Sequence, residues 1–133
     1  MYYLDTNVII DVIRQKYPQL EARFKKYPSL SIAVPSVVVA ELEFGAKHSD
    51  NYEKRRKQYL EIIAPFRIVA FAENEAIAYG KIREQLTNDG TPIGSNDMLI
   101  ASTALANNAT LVTHNIGEFA RVEGLSVVDW LNE

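Results

Sequence analysis

Acidic side chains recur in this 133-residue chain where strand should give way to helix. Asp5 ends the apolar run Met1-Tyr2-Tyr3-Leu4, and Glu41 lies inside the helical stretch that Pro35 and Ser36 open. Asp97 falls in the first turn of a helix starting at Ser95 or Asn96, and Asn115 and Glu118 follow the run Thr110-Leu111-Val112-Thr113. Helical spacing puts Glu41 on one face with Val37, Val38, Phe44 and Gly45, and Asp97 on one face with Ile100, Ala101 and Ala104. An acid on an apolar face is costly unless it is paired or holds a metal. No Lys or Arg stands beside any of the three in sequence. A hard divalent cation with oxygen ligands, Mg²⁺ or Mn²⁺, would supply the missing charge. Singly, two of these acids have a plainer reading: Asp5 could cap a helix, and Asp97 could complement a helix dipole. Glu43 points away from Glu41 and can pair with Lys47 at i+4, the usual solvent arrangement.

Other candidate groups carry less. His48 and His114 lack metal-ligand spacing, though His114 beside the strand end at Thr113 could touch a substrate. Lys54-Arg55-Arg56-Lys57 spreads around a helix rather than along one face, so it reads as a solvated surface. Gly45, Gly90 and Gly94 make no phosphate-binding glycine motif. Tyr2, Tyr3, Phe66 and Phe71 read as core or edge residues.

The elements that must position the acids alternate. Strands are expected at residues 1–4, 31–34, 67–70, 110–113 and 127–128, with helices after Asp5 and at 18–26, 36–47, 50–63, 73–86 and 95–106. Thr6 and Asn7 are N-cap types for the first helix. The helix from Glu73 stops at Asn88-Asp89-Gly90, where Gly suits a left-handed cap. Short apolar strands alternating with helices predict an α/β fold, a three-layer α/β/α sandwich around a central parallel sheet. In such a sheet ligands bind outside the carboxyl ends of the strands, where these acids cluster.

The chain is 47% hydrophobic and 23% charged, which excludes disorder and coiled coil and fits one domain over residues 1–133. With no cysteine, disulfides and thiol catalysis are excluded. No apolar run is long enough to span a membrane and no signal-peptide core is evident, so the expected location is the cytoplasm. The net charge of −3 argues against a nucleic-acid binder unless the acids hold cations, which would invert the local field.

Four segments in order resemble a known family. Leu4-Asp5-Thr6-Asn7, Val39-Ala40-Glu41-Leu42-Glu43-Phe44-Gly45-Ala46, Gly90 through Ala101, and Leu111-Val112-Thr113-His114-Asn115 with Glu118-Phe119 are similar to PIN-domain ribonucleases. More narrowly they resemble the VapC toxins of toxin–antitoxin pairs, and Val128-Asp129-Trp130 extends the likeness to the end of the chain. The resemblance implies a Mg²⁺- or Mn²⁺-dependent endoribonuclease cutting tRNA or ribosomal RNA. It also implies a homodimer neutralised by a small antitoxin lying along a groove near the active site. Asp5, Glu41 and Asp97 match the family's metal-binding positions, whereas Asn115 stands where many members carry a further Asp. Glu118 could compensate as a ligand through water, or could complete a capping box with Asn115.

Thr6, Asn7, Ser36 and Thr113 are candidates to orient ligands or water. An antitoxin groove is expected from the first two helices and the 36–47 helix, with Tyr17, Phe24 and Phe44 as apolar contacts. Two other readings stay open: a phosphoryl-transfer α/β protein of the phosphatase or receiver kind, and a non-catalytic interaction module. A phosphatase of that kind wants a second Asp two residues after Asp5, where Asn7 stands.

Overall fold

Apolar runs form the strands and periodic stretches form the helices, in the alternation that the sequence predicts. The computed structural model describes residues 1–132. Strand β1 (Tyr2–Leu4) leads to α1 (Thr6–Ile13) and α2 (Pro18–Lys26), then a 3₁₀ turn (Ser29–Ser31) enters β2 (Ile32–Pro35). Helices α3 (Ser36–Lys47) and α4 (Tyr52–Ile63) precede β3 (Arg67–Val69), and α5 (Glu73–Asp89) and α6 (Ser95–Ala106) precede β4 (Thr110–Val112). The short α7 (Ile116–Phe119) connects β4 to β5 (Ser126–Val128).

All strands pair in parallel, in the order β3-β2-β1-β4-β5. Central β1 sets Tyr3 opposite Ala33 on one side and Leu111 on the other. Residues of β1, β2 and β4 are almost entirely buried, while the short edge strands β3 and β5 keep exposed positions. Right-handed crossovers put α1–α4 on one face of the sheet and α5–α7 on the other. The packing of α1 on α3 and α4, and of α5 on α6, agrees with that division. The direction of strand addition reverses between β1 and β4, which opens a crevice at their carboxyl ends.

Local chemistry moves several boundaries. Asp5, rather than Thr6 or Asn7, caps α1: its backbone is extended and its side chain accepts the Thr6 N–H at 2.8 Å. Ser31 belongs to the 3₁₀ turn, so β2 starts one residue later than expected and runs through Pro35. Asn51 caps α4 by accepting the Lys54 N–H at 3.1 Å, which moves its start to Tyr52. Helix α5 runs past Leu86 to Asp89 and closes on Gly90 at φ +68°. Its start is held by Glu75, which accepts the Ala72 N–H at 2.9 Å and the Asn107 amide at 3.0 Å, tying α5 to the end of α6.

Phe24, expected as an apolar contact for a partner, packs within the chain itself. It is half-buried in an aromatic cluster, edge-on to Phe66 at 6.0 Å and to Trp130 at 5.8 Å. Trp130 in turn stacks on Tyr27.

Candidate active site

The hydrogen bond from Thr113 Oγ1 to Asp5 Oδ2, at 2.7 Å, crosses the crevice between β1 and β4 and joins residues 108 apart in sequence. Asp5 is only 4% exposed, and its two oxygens are held by Thr113 and by the Thr6 N–H. Thr113 Oγ1 also accepts the Asn115 N–H at 3.0 Å, so its hydroxyl proton is directed at Asp5. Burial pushes the Asp5 carboxyl above its ordinary range; the Thr113 and Thr6 hydrogen bonds pull the other way, and the Glu41 charge adds to the rise.

Thr6, fixed as the first residue of α1, donates its hydroxyl to Glu41 Oε1. Glu41 Oε2 accepts the Asn96 amide at 3.3 Å. Glu41 is thus clamped between the start of α1 and the start of α6. Asp97, one residue on from Asn96, enters the same cleft half-buried, and no hydrogen bond from the described residues reaches its carboxyl group. Its pKa is raised to about 6, first by burial and then by the charges of Asp5, Glu118 and Glu41. Asp97 packs close to Gly94: a Cβ there would meet Asp97 Oδ2 at 3.4 Å, in van der Waals contact.

Asp5, Glu41 and Asp97 therefore line one open cleft of about 610 Å³, with Thr6, Asn7, Asn96 and the exposed ring of Phe44. No Lys or Arg among the described residues lines it. Among the described residues no three acidic or histidine side chains are drawn together tightly enough to form a finished metal cage. The donor chemistry nevertheless fits a hard cation: three carboxylates with oxygen donors throughout, and an Asp97 whose proton affinity is raised by burial and then by the neighbouring carboxylates.

The remaining candidates separate. Asn7 is exposed at the rim of the cleft. Ser36 does not line it; its hydroxyl accepts the Phe71 N–H at 3.3 Å and braces the start of α3 against the segment after β3. Glu118 forms no capping box. One oxygen accepts the Gly94 N–H at 2.9 Å and the other the Asn115 amide at 2.6 Å, so it straps the turn before α6 to α7. These bonds hold its carboxyl below the ordinary range. Asn115 points its amide at that strap rather than into the cleft.

Asn96 was expected only as a helix start; the adjacent Asp97 was the one signal that its amide would face the same cleft. Glu43 also departs from expectation. It accepts the hydroxyls of Tyr52 at 2.7 Å and Tyr59 at 2.5 Å, with Arg56 at 3.8 Å, and so bolts α3 to α4. Lys47, its expected partner, lies over the Tyr52 ring at 3.8 Å.

The PIN domain family matches residues 2–125. The chain belongs to the PIN domain family. Within that family it falls with the VapC ribonucleases. It is 37% identical over 134 residues to ribonuclease VapC2 of Rickettsia felis, covering 98% of both chains. It is 32% identical over 129 residues to the tRNA(fMet)-specific endonuclease VapC of Salmonella typhimurium, covering 97% of both. The structure of VapBC2 from Rickettsia felis bound to a promoter DNA fragment superposes with a TM-score of 0.90 at 34% identity, over 97% of this chain and 98% of that one. The parallel sheet flanked by helices is thus the family's fold, as the sequence predicts. Among the described residues no helix is long and apolar enough to cross a membrane.

Proposed function

We propose that this PIN domain is a Mg²⁺- or Mn²⁺-dependent endoribonuclease, the toxin of a toxin–antitoxin pair, which cuts tRNA or ribosomal RNA in the cytoplasm and so stops translation. The observation that carries the reading is the convergence of Asp5, Glu41 and Asp97 on one cleft without a cation among its lining side chains. Relatives named as VapC ribonucleases, one of them a tRNA(fMet)-specific endonuclease, support the substrate class.

Asp5, Glu41 and Asp97 would hold the metal. When bound, such an ion activates water and neutralises phosphate oxygens. Thr113 and the Thr6 N–H fix the Asp5 carboxylate, while Thr6 and Asn96 fix Glu41, so two donors keep their orientation before substrate arrives. Each keeps lone pairs beyond those its hydrogen bonds use. Asp97 has no such brace and is the donor whose side chain can adjust. Asn7 at the rim can hydrogen-bond a phosphate or ribose.

The antitoxin reading rests on the VapBC complexes among the structural relatives. One groove that could seat a partner segment shares α1 and α3 with the expected one. It lies between α1, α3 and α4, lined by Ile10, Ile13, Leu42, Ala46 and Tyr59, and reaches Glu41 at one end. An occupant there would close one end of the cleft. Homodimerisation follows the family resemblance.

The direct test incubates antitoxin-free protein with total RNA in Mg²⁺ or EDTA and maps new 5′ ends. Discrete cuts in Mg²⁺, lost in EDTA and restored by Mn²⁺, are expected. Undiminished cutting in chelator would overturn the metal mechanism.

A further inference from the structure

A second depression, of about 460 Å³, opens beside the acidic cleft and shares Asn7 and Ile10 with it. Its floor is one stripe of α1: Asn7, Ile10, Asp11 and Arg14, at i, i+3, i+4 and i+7. Lys16, Tyr17, His114 and Leu131 complete the wall. The two halves of this continuous surface have opposite character. The cleft presents carboxylates, whereas the trough presents the exposed cations Arg14 and Lys16 beside two rings.

The backbone is bent specifically to build this wall. Helix α1 ends with Gln15 N–H donating to Val12 O and Lys16 N–H to Asp11 O, both at 3.0 Å, which puts Gln15 in the left-handed region at φ +53°. Glycine usually occupies that position. The reversal folds Lys16 and Tyr17 back over the end of α1, with Lys16 Nζ 5.2 Å from the Tyr17 ring centre. Tyr17 meets His114 edge-on at 6.1 Å. His114 is hydrogen-bonded through Nδ1 to Asp129 at 2.9 Å, while its buried Nε2 lies 3.2 Å from Asp11 without forming a hydrogen bond, so among the described residues the one carboxylate lining the trough stands beside the imidazole.

We propose that this trough is a subsite for single-stranded RNA flanking the scissile phosphate, with Arg14 and Lys16 taking backbone phosphates and Tyr17, backed by His114, taking the face of a base. Single strands are bound by this combination of cations for the backbone and rings for the bases. The inference rests on the reading of the neighbouring cleft as a ribonuclease centre, which requires the strand to continue past Asn7. Asn7, common to both depressions, marks the crossing point.

The test uses the full chain and a fluorescein-labelled single-stranded RNA hexamer. Binding is read by anisotropy in EDTA across a salt series, and cleavage of the same hexamer is read after adding Mg²⁺. Tyr17→Ala should weaken binding about tenfold, the scale of one lost base stack. Tyr17→Phe keeps the ring and should stay within about twofold. Lys16→Gln should lower the slope of log affinity against log salt by about 0.7, the single-strand value for one phosphate contact. Circular dichroism identifies any variant that fails to fold, and Tyr17→Phe and Lys16→Gln, being surface-conservative, keep the test open if Tyr17→Ala does.

A hexamer bound with these sensitivities supports the trough whether or not it is cut, and the nuclease reading falls only if total RNA in Mg²⁺ is left uncut as well. A hexamer cut by wild type and all variants alike, with unchanged affinity, overturns the trough and leaves the nuclease. Sensitivity to Lys16→Gln without sensitivity to Tyr17→Ala leaves a backbone phosphate contact only and overturns the base subsite, and absence of binding overturns the trough outright.

Discussion

Asp97 and Asp5 are both acids in the same cleft, but they will not respond alike to substitution. Asp97 has no hydrogen bond among the described residues, and its proton affinity is raised by burial and by neighbouring carboxylates. Its folded pKa, about 6, lies above the ordinary 3.8. Between those values the native state holds a proton that the unfolded chain has released, so metal-free stability should fall as pH rises from about 4 to about 6. Asp97→Asn should flatten that part of the profile and raise the Tm of metal-free protein at pH 7, as thermal melts across pH would show. Asp5→Asn is less clean. An amide can accept only one of the two hydrogen bonds that the buried carboxylate now accepts, from Thr6 N–H and Thr113. Its loss, about 1 kcal/mol, offsets the relief of repulsion, so its Tm should lie below that of Asp97→Asn. The sequence showed both acids as candidates. It could not show that one is braced and the other free, because the brace on Asp5 comes from a residue 108 positions away.

At the scale of elements, the acids outside the cleft act as fasteners. Glu43 bolts α3 to α4 through two tyrosines and holds its own carboxyl below the ordinary range, while the Tyr59 hydroxyl is pushed up to about 12 by burial and by that carboxylate. Glu43→Gln should therefore lower Tm while leaving RNA cleavage intact, rather than being silent as an exposed i+4 pair with Lys47 would predict. Glu118 straps the turn before α6 to α7. Glu118→Gln should cost on the order of 1 kcal/mol in a denaturant titration. The Mg²⁺ concentration for half-maximal cleavage should change little, whereas a clear rise would place Glu118 among the ligands. Three helices end on a residue in the left-handed region: α5 on Gly90, α6 at Asn108 and α1 at Gln15. Glycine and asparagine adopt that conformation readily and glutamine does not. Gln15→Gly should stabilise the protein by up to about 1 kcal/mol, measured by the same titration.

Helix faces were legible in part at this scale because the i, i+3, i+4 pattern is local: Ile100, Ala101 and Ala104 are buried beside Asp97 as expected, whereas Phe44, expected on an apolar face with Glu41, is exposed and the buried stripe of α3 is Val38, Leu42 and Ala46. Glu41 and Glu43 were separated correctly, and the Gly90 stop was evident from Asn88-Asp89-Gly90. What Glu43 does on its own face was hidden, since the tyrosines it holds stand 9 and 16 residues on in another helix. Asp5 displaced Thr6 as the α1 cap because a strand-end residue already in extended backbone can accept the first free N–H.

For the whole molecule, strand–helix alternation announced a parallel α/β sheet, but the strand order β3-β2-β1-β4-β5 has no local signal. That order brings the carboxyl ends of β1 and β4 together, and with them Asp5 and Thr113. The net charge of −3 spoke against an RNA-binding surface because it averages over the chain. The structure separates that charge into an acidic cleft with Arg14 and Lys16 beside it. Tyr17 and Phe24 looked alike as short-helix aromatics, yet one faces the trough and the other is packed against Phe66 and Trp130.

The three converging carboxylates are proposed to hold a divalent cation for RNA cleavage. The most direct measurement of that proposal is single-turnover cleavage by wild type and Asp97→Asn over a Mn²⁺ titration, with folding of each checked by its melt. Asp97→Asn loses a proposed metal ligand without losing a hydrogen bond from the described residues. The expected result is a well-folded variant whose cleavage rate falls by at least about a hundredfold, on the scale of lost transition-state charge stabilisation. A folded Asp97→Asn protein that cuts RNA at the wild-type rate, with the same Mn²⁺ dependence, would contradict it.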